Sequence, residues 1–317
     1  MSSSSSLFPE LGFPELGLKY ITVRPVAQHD AGGPSSSSSS AAEAAAAAAA
    51  PARRCCVVAS VRKEPVNAMD LPLWRELAAL LRAAEADERV CGLVLCSGLT
   101  RSIFTAGNDI KELHARMTTP ERYREFWTVS NGFLSRLYRS PLATVAAVKG
   151  SCPAGGCIMS LCCDAVVMVD GRGTIGLNEV ALGIAVPKYW ASVFVRKVGH
   201  ARGEPLLKNA SLLRPREALA AGLVDHLVDA EEELIPTAER MVVRMALAHP
   251  DQGRAMTKQA IRGELADAWA RYAEEEARTV WGFLSDAKTV GALDAVLRRL
   301  QKRPGPAAPA GAARPRL

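Results

Sequence analysis

A chain of 317 residues with 49% apolar residues and a mean hydropathy of +0.05 can bury the core of one large or two modest domains, and its apolar runs fall far short of the ~20 residues of a membrane span. The formal net charge of +6 sits partly in arginine-containing tails, and aromatics are only 5%, which argues against a basic stacking platform for nucleic acid. The eight cysteines lack any C-x-x-C spacing, mostly occupy apolar segments and accompany five scattered histidines, a pattern of core residues in a reducing compartment and not of zinc ligands.

Residues 1–54 hold serine runs at 2–6 and 35–40 and an alanine run at 44–50, low-complexity sequence that predicts a disordered extension. A targeting peptide is the alternative, weakened by Glu10, Glu15 and Asp30. From Cys55 the run C-C-V-V-A-S-V predicts a strand. Asp70 then predicts the N-cap of a helix whose apolar face is Leu73, Trp74, Leu77, Leu80 and Leu81, and residues 92–96 predict a buried strand. Residues 101–109 follow as a loop after a strand, a common place for binding residues.

The next predicted helix covers residues 120–139, with Phe126, Trp127, Phe133, Leu134 and Leu137 on one face and Pro141 ending it. Strands are predicted at 144–148 and 165–169, a short apolar helix at 154–163 between them, and a further extended piece at 173–177. This alternation predicts an α/β fold with largely parallel pairing. Beyond Pro187 the pattern becomes helical, over 189–198, 205–207, 215–221, 231–248 and 251–301, with a brief extended insert at 223–228. The tail 304–317 is rich in proline and alanine, predicts disorder, and ends in Pro315-Arg316-Leu317.

Three features carry chemistry. Pro153-Ala154-Gly155-Gly156 opens a helix, where unpaired N–H groups attract developing negative charge, although glycines there serve close packing equally well. Phe104-Thr105-Ala106-Gly107-Asn108-Asp109 offers a second loop of this kind, and an oxyanion hole needs convergent donors from separate segments. Glu179 lies in G-L-N-E-V-A-L-G with no basic residue between Arg172 and Lys188, a setting in which desolvation raises a carboxylate toward the range of a reversible base. The alternative for Glu179 is a surface acid in a loop. Gly171-Arg172-Gly173-Thr174-Ile175-Gly176 formally matches a dinucleotide fingerprint, but an extended stretch follows it where that motif requires a helix.

In this order the pieces F-T-A-G-N-D-I, R-S-P-L-A-T-V-A-A-V, G-S-C-P-A-G-G-C and I-G-L-N-E-V-A-L-G-I resemble the crotonase, or enoyl-CoA hydratase/isomerase, superfamily over about residues 55–303, and within it the Δ3,Δ2-enoyl-CoA isomerases. The resemblance implies a spiral of strand–strand–helix turns over 55–200, a helical region over 201–303 used in trimer contacts, and an acyl-CoA substrate, with no cofactor besides the coenzyme A that the substrate carries. It implies Glu179 as catalytic base, the N–H groups of Ala106 and Gly155 as oxyanion hole, and Ala106, Gly107, Asn108, Asp109, Ile110, Gly155 and Asn178 as substrate-binding residues.

Two departures refine this expectation. Hydratases of the superfamily carry a second glutamate three residues past the oxyanion glycine, where this chain has Ile158. Dienoyl-CoA isomerases carry an aspartate there and another eight residues beyond the glutamate, where this chain has Pro187. A single carboxylate fits a proton shift from C2 to C4 of a 3-enoyl-CoA in unsaturated fatty-acid β-oxidation, while a hydratase or another acyl-CoA enzyme of this fold is the alternative. The C-terminal Pro315-Arg316-Leu317 resembles a peroxisomal ending, with mitochondrial targeting as the other expectation.

Overall fold

The computed structural model describes residues 9–26, 54–249 and 251–302. Strands are β1 (Ile21–Pro25), β2 (Cys55–Val61), β3 (Val90–Ser97), β4 (Ala143–Val148), β5 (Cys152–Pro153), β6 (Ala165–Val169), β7 (Ile175–Gly176) and β8 (His226–Val228). Helices are α1 (Leu71–Ala86), α2 (Ile110–Leu113), α3 (Pro120–Tyr138), α4 (Gly155–Cys162), α5 (Lys188–Val198), α6 (His200–Lys208), α7 (Pro215–Ala221), α8 (Glu231–Leu247), α9 (Asp251–Leu284) and α10 (Ala287–Lys302).

The main sheet has the order β1-β2-β3-β4-β6-β8, parallel throughout except for the antiparallel edge pair β1–β2. Continuous burial of β3 and β4 explains their unbroken apolar sequences, because both sheet faces are covered. One face carries the larger core with α1, α3 and α4, including Trp74, Phe126 and Ile158; the other packs Val58, Val94 and Val145 against Leu234, Ala238 and Val242 of α8. Asp70 caps α1 as expected, its Oδ1 accepting from Leu73 N at 3.1 Å.

After each of the first strands the chain returns along a second stack. Met69 bridges Asn108, Ile103 bridges Ser151, and Cys152 and Pro153 pair with Ile175 and Gly176, all parallel. The successive strand–stack–helix turns are the expected spiral, and they place three sequence-distant loops side by side.

The helical layer is stapled through buried polar groups. Asn131 Oδ1 accepts from both Trp190 Nε1 (3.0 Å) and Trp269 Nε1 (2.8 Å), joining α3, α5 and α9. Glu276 accepts from Trp127 Nε1 (3.1 Å) and from Lys188 N (3.0 Å) at the start of α5. Each donor is satisfied where an unpaired one would cost about 1–3 kcal/mol.

Three expectations need correction. Residues 9–26 of the N-terminal extension are not disordered: Leu11, Phe13 and Ile21 are buried, β1 pairs with β2, and Glu76 accepts from Lys19 N and Tyr20 N. The alternation of Ile21 and Val23 is too short to read as a strand by itself, and its partner strand lies beyond 27–53. The helix expected at 205–207 begins at His200 and carries Pro205 internally, and the pattern at 251–301 is two helices broken at Ser285 and Asp286. The serine and alanine runs and the tail ending at Leu317 fall outside the described residues.

Candidate active site

Residues 104–109, 151–155 and 174–179 meet at the end of the second stack. Phe104 N and Thr105 N donate to Ser151 O, and Ala154 N donates to Gly176 O at 2.9 Å, so β5 sits between the other two segments. A Cβ built on Gly107 would stand 3.2 Å from Pro153 O and 3.8 Å from Gly155 N, and one on Gly155 would stand 2.8 Å from Asn108 Oδ1. The loop at Gly107 and Asn108 therefore lies directly against the start of α4.

The hydrogen bonds of this junction decide which amides are available to a ligand. Ala106 N donates to Val66 O at 2.9 Å and Gly107 N to Thr105 Oγ1 at 3.0 Å. Ala106 is thus not the open donor expected from the sequence, because its N–H is consumed by the turn that precedes α1. Asn108 N and Gly155 N donate to no group among the described residues.

A common backbone device precedes both open donors. Gly107 has φ 88° and Ala154 has φ 51°, and a left-handed residue turns the following peptide away from the ladder its neighbours make. Alanine in that region stores about 1–3 kcal/mol of strain, a cost tolerated where the surrounding structure fixes the conformation. Gly155 also opens α4, so its N–H adds to the positive end of that helix.

Glu179 begins the short 3-10 turn Glu179–Leu182, which leaves β7 beside Ala154 and Gly155. It is 7% exposed, and burial pushes its carboxyl up to about 7 from the ordinary 4.5. Neither carboxylate oxygen has a hydrogen-bond partner among the described residues, and the same holds for Asn178 Oδ1. These three oxygens are buried acceptors with no protein donor among the described residues. Ile158 and Leu177 are fully buried nearby in the core, and Val186 packs against it.

Helix α10 closes this region from the C-terminal side. A Cβ on Gly183, the residue ending the Glu179 turn, would meet Ala292 Cβ at 3.6 Å, and Leu293 is wholly buried. The helix is tied to the chain beyond α2 by His114 Nε2 and Asp294 Oδ1 (2.9 Å) and by Arg116 Nη1 and Asp294 Oδ2 (3.1 Å). Arg116 N donates to His114 Nδ1 (3.2 Å), which leaves the ring hydrogen on Nε2 for Asp294. No motif in the sequence pointed to this tether, since its two sides are 180 residues apart.

Of the residues expected at the site, Gly107, Asn108, Gly155, Asn178 and Glu179 come together. Ala106 stands beside them with its amide engaged. Asp109 caps α2 by accepting from Lys111 N (3.0 Å), and Ile110 is the first residue of that helix.

A buried, unpaired carboxylate near neutrality beside two open backbone donors defines an enzyme site for removing and returning a proton next to a carbonyl. Residues 53–301 match the family model described as enoyl-CoA hydratase/isomerase. The chain is 35% identical over 249 residues to the mitochondrial enoyl-CoA delta isomerase 1 of Mus musculus, covering 78% of this chain and 84% of that one. To the Homo sapiens protein of the same name it is 32% identical over 78% of this chain and 81% of that one. The crystal structure of human mitochondrial delta3-delta2-enoyl-CoA isomerase superposes with a TM-score of 0.74 at 32% identity, covering 79% of this chain and 95% of that chain. An enoyl-CoA hydratase from Bacillus halodurans shares the fold at 23% identity with a TM-score of 0.69. The chain belongs to the enoyl-CoA hydratase/isomerase family, with the crotonase fold.

Proposed function

We propose that this protein is a Δ3,Δ2-enoyl-CoA isomerase that converts 3-enoyl-CoA to trans-2-enoyl-CoA in the oxidation of unsaturated fatty acids. The observation that carries this reading is Glu179, buried with both oxygens unpaired, while the α4 position suited to a second acid is the fully buried Ile158. Water addition requires a group to activate water besides the one that moves the α-proton.

In this mechanism the ionised Glu179 takes the proton from C2, and the resulting dienolate oxygen is held by Asn108 N–H and Gly155 N–H. Each such donor is worth ~3 kcal/mol where charge develops in a site closed to water. Glu179, now a neutral acid, returns the same proton at C4. A carboxyl near 7 suits both halves, since it is basic enough to accept a proton and acidic enough to release it. Thioester activation and the oxyanion donors suffice for this step, so the proposal includes no cofactor beyond the coenzyme A of the substrate.

The assembly proposed is a homotrimer or a dimer of trimers, as the family resemblance implies. Among the described residues no helix is long and apolar enough to cross a membrane. For location, the names of the Mus musculus and Homo sapiens relatives favour mitochondria over the peroxisomal reading of Pro315-Arg316-Leu317. Imaging the protein tagged separately at each end distinguishes the two.

Supplying 3-enoyl-CoA and 2-enoyl-CoA separately tests the reaction. Fast migration of the double bond with little 3-hydroxyacyl-CoA is expected. Rapid hydration of the 2-enoyl substrate would replace this reading with a hydratase.

A further inference from the structure

The face of the sheet turned toward α8 carries a pair of thiols that the proposed reaction does not use. Cys56 Sγ and Cys91 Sγ lie 3.9 Å apart, on strands β2 and β3. Their meeting depends on an irregularity. Cys55 pairs with Val90 but Cys56 pairs with Gly92, so Cys91 is left unopposed in a one-residue bulge. Cys91 and Gly92 consequently face the same side: Cys91 joins the α8 cluster, and a Cβ on Gly92 would stand 2.8 Å from Val242 Cγ2 and 2.6 Å from Cys56 Sγ. The missing side chain of Gly92 is the space that Cys56 Sγ occupies, and a bulge that re-aims a side chain is a selected feature in many sheets.

Cys91 lines a cavity of about 390 Å³ whose wall carries two arginines, Arg54 and Arg254, and four acids, Glu85, Asp87, Glu88 and Asp251. Both arginines pair with Asp251, yet Nε and Nη1 of Arg254 are buried without an acceptor. The hydrogen bond from Cys56, with Arg54 and Arg254, lowers the pKa of the Cys91 thiol, and the same contact with burial pushes Cys56 up. Burial pushes Cys152 and Cys163 up to about 12 and raises Cys96. The neutral Cys91 thiol donates to Cys55 O at 3.3 Å, so its proton also has a place to rest.

We propose that Cys56 and Cys91 form a hydroperoxide-reactive dithiol, a modification site in the α8 layer on the far side of the sheet from α4. The Cys91 thiolate attacks one oxygen of the hydroperoxide; the S–O bond forms, the O–O bond breaks, and the departing alkoxide or hydroxide takes up the thiol proton. Cys56 sulfur then attacks the sulfenic sulfur of Cys91, the S–S bond forms, and the S–O bond breaks. Hydroxide leaves with the Cys56 proton as water. Two thiols lose two electrons in all, and one hydroperoxide is reduced to an alcohol, or to water, plus water.

The test treats the folded full-length protein with hydrogen peroxide, blocks remaining thiols with N-ethylmaleimide, and maps the peptides by mass spectrometry. A Cys56–Cys91 link is expected as the first product, lost on adding dithiothreitol. Cys56→Ser should stop the reaction at a Cys91 sulfenic acid that dimedone captures, and Arg254→Gln should slow the oxidation of Cys91 several-fold. Oxidation of Cys91 no faster than that of Cys96 or Cys162, or a link formed only in urea, would overturn the proposal. That comparison among thiols of the unaltered protein decides the matter even where a substitution impairs folding.

Discussion

Glu179 shows how one residue acquires a function from what it lacks. Its pKa is raised by loss of water, so the cause is burial and no paired charge. Since the base works ionised, kcat/KM for 3-enoyl-CoA should rise about tenfold per pH unit below about 7 and level off above it. A profile flat between pH 5 and 8 would remove Glu179 from the role. Glu179→Gln keeps the volume and should lower turnover by about 10²–10⁴-fold while acyl-CoA binding persists. The donors separate as cleanly. An amide-to-ester replacement at Asn108 should reduce kcat by about 10²–10³-fold with little loss of stability, because that N–H has no protein acceptor. The same replacement at Ala106 should leave kcat largely intact and lower the unfolding midpoint, since it removes the bond to Val66 O.

Among the elements, α10 decides how dry the site is. It packs on the Glu179 turn and is held by the His114–Asp294–Arg116 contacts. Asp294→Ala should therefore loosen the helix, admit water, and move the acid limb of the pH profile below about 7 toward the ordinary carboxylate range. Faster amide exchange over 287–302 should accompany that shift; exchange that speeds up with no movement of the limb would separate the tether from the base. The same elements show what a sequence can and cannot reveal. β2, α1, β3 and α4 were legible because each has an apolar period and a local cap or breaker, such as Asp70 before α1. β1 was not, because its alternating Ile21 and Val23 become a strand only on the edge that β2 offers. Asn108 was seen as a binding residue but not as the donor, because the bond that occupies Ala106 comes from residue 66, forty positions earlier and in another turn of the spiral. The tether of α10 left no trace for the same reason.

At the scale of the molecule, catalysis and stability draw on the same carboxylate in opposite senses. The folded protein binds the Glu179 proton more tightly than the unfolded chain does, with a pKa of about 7 against the ordinary 4.5. This contribution to stability is fully present below about pH 4.5 and is lost as pH rises through about 7, because folding must then bury an ionised group that has no partner. The loss approaches about 3 kcal/mol, at 1.36 kcal/mol for each pH unit between the two values. A glutamine at this position carries no such penalty. Glu179→Gln should therefore be more stable than the parent protein at pH 8 by up to about 3 kcal/mol, and this advantage should be much smaller at pH 5. Urea midpoints of the two proteins at the two pH values measure it. A stability difference that does not change with pH would mean that Glu179 is already paired or hydrated in the resting enzyme, and the dry, unpaired base on which the proton shift depends would be wrong.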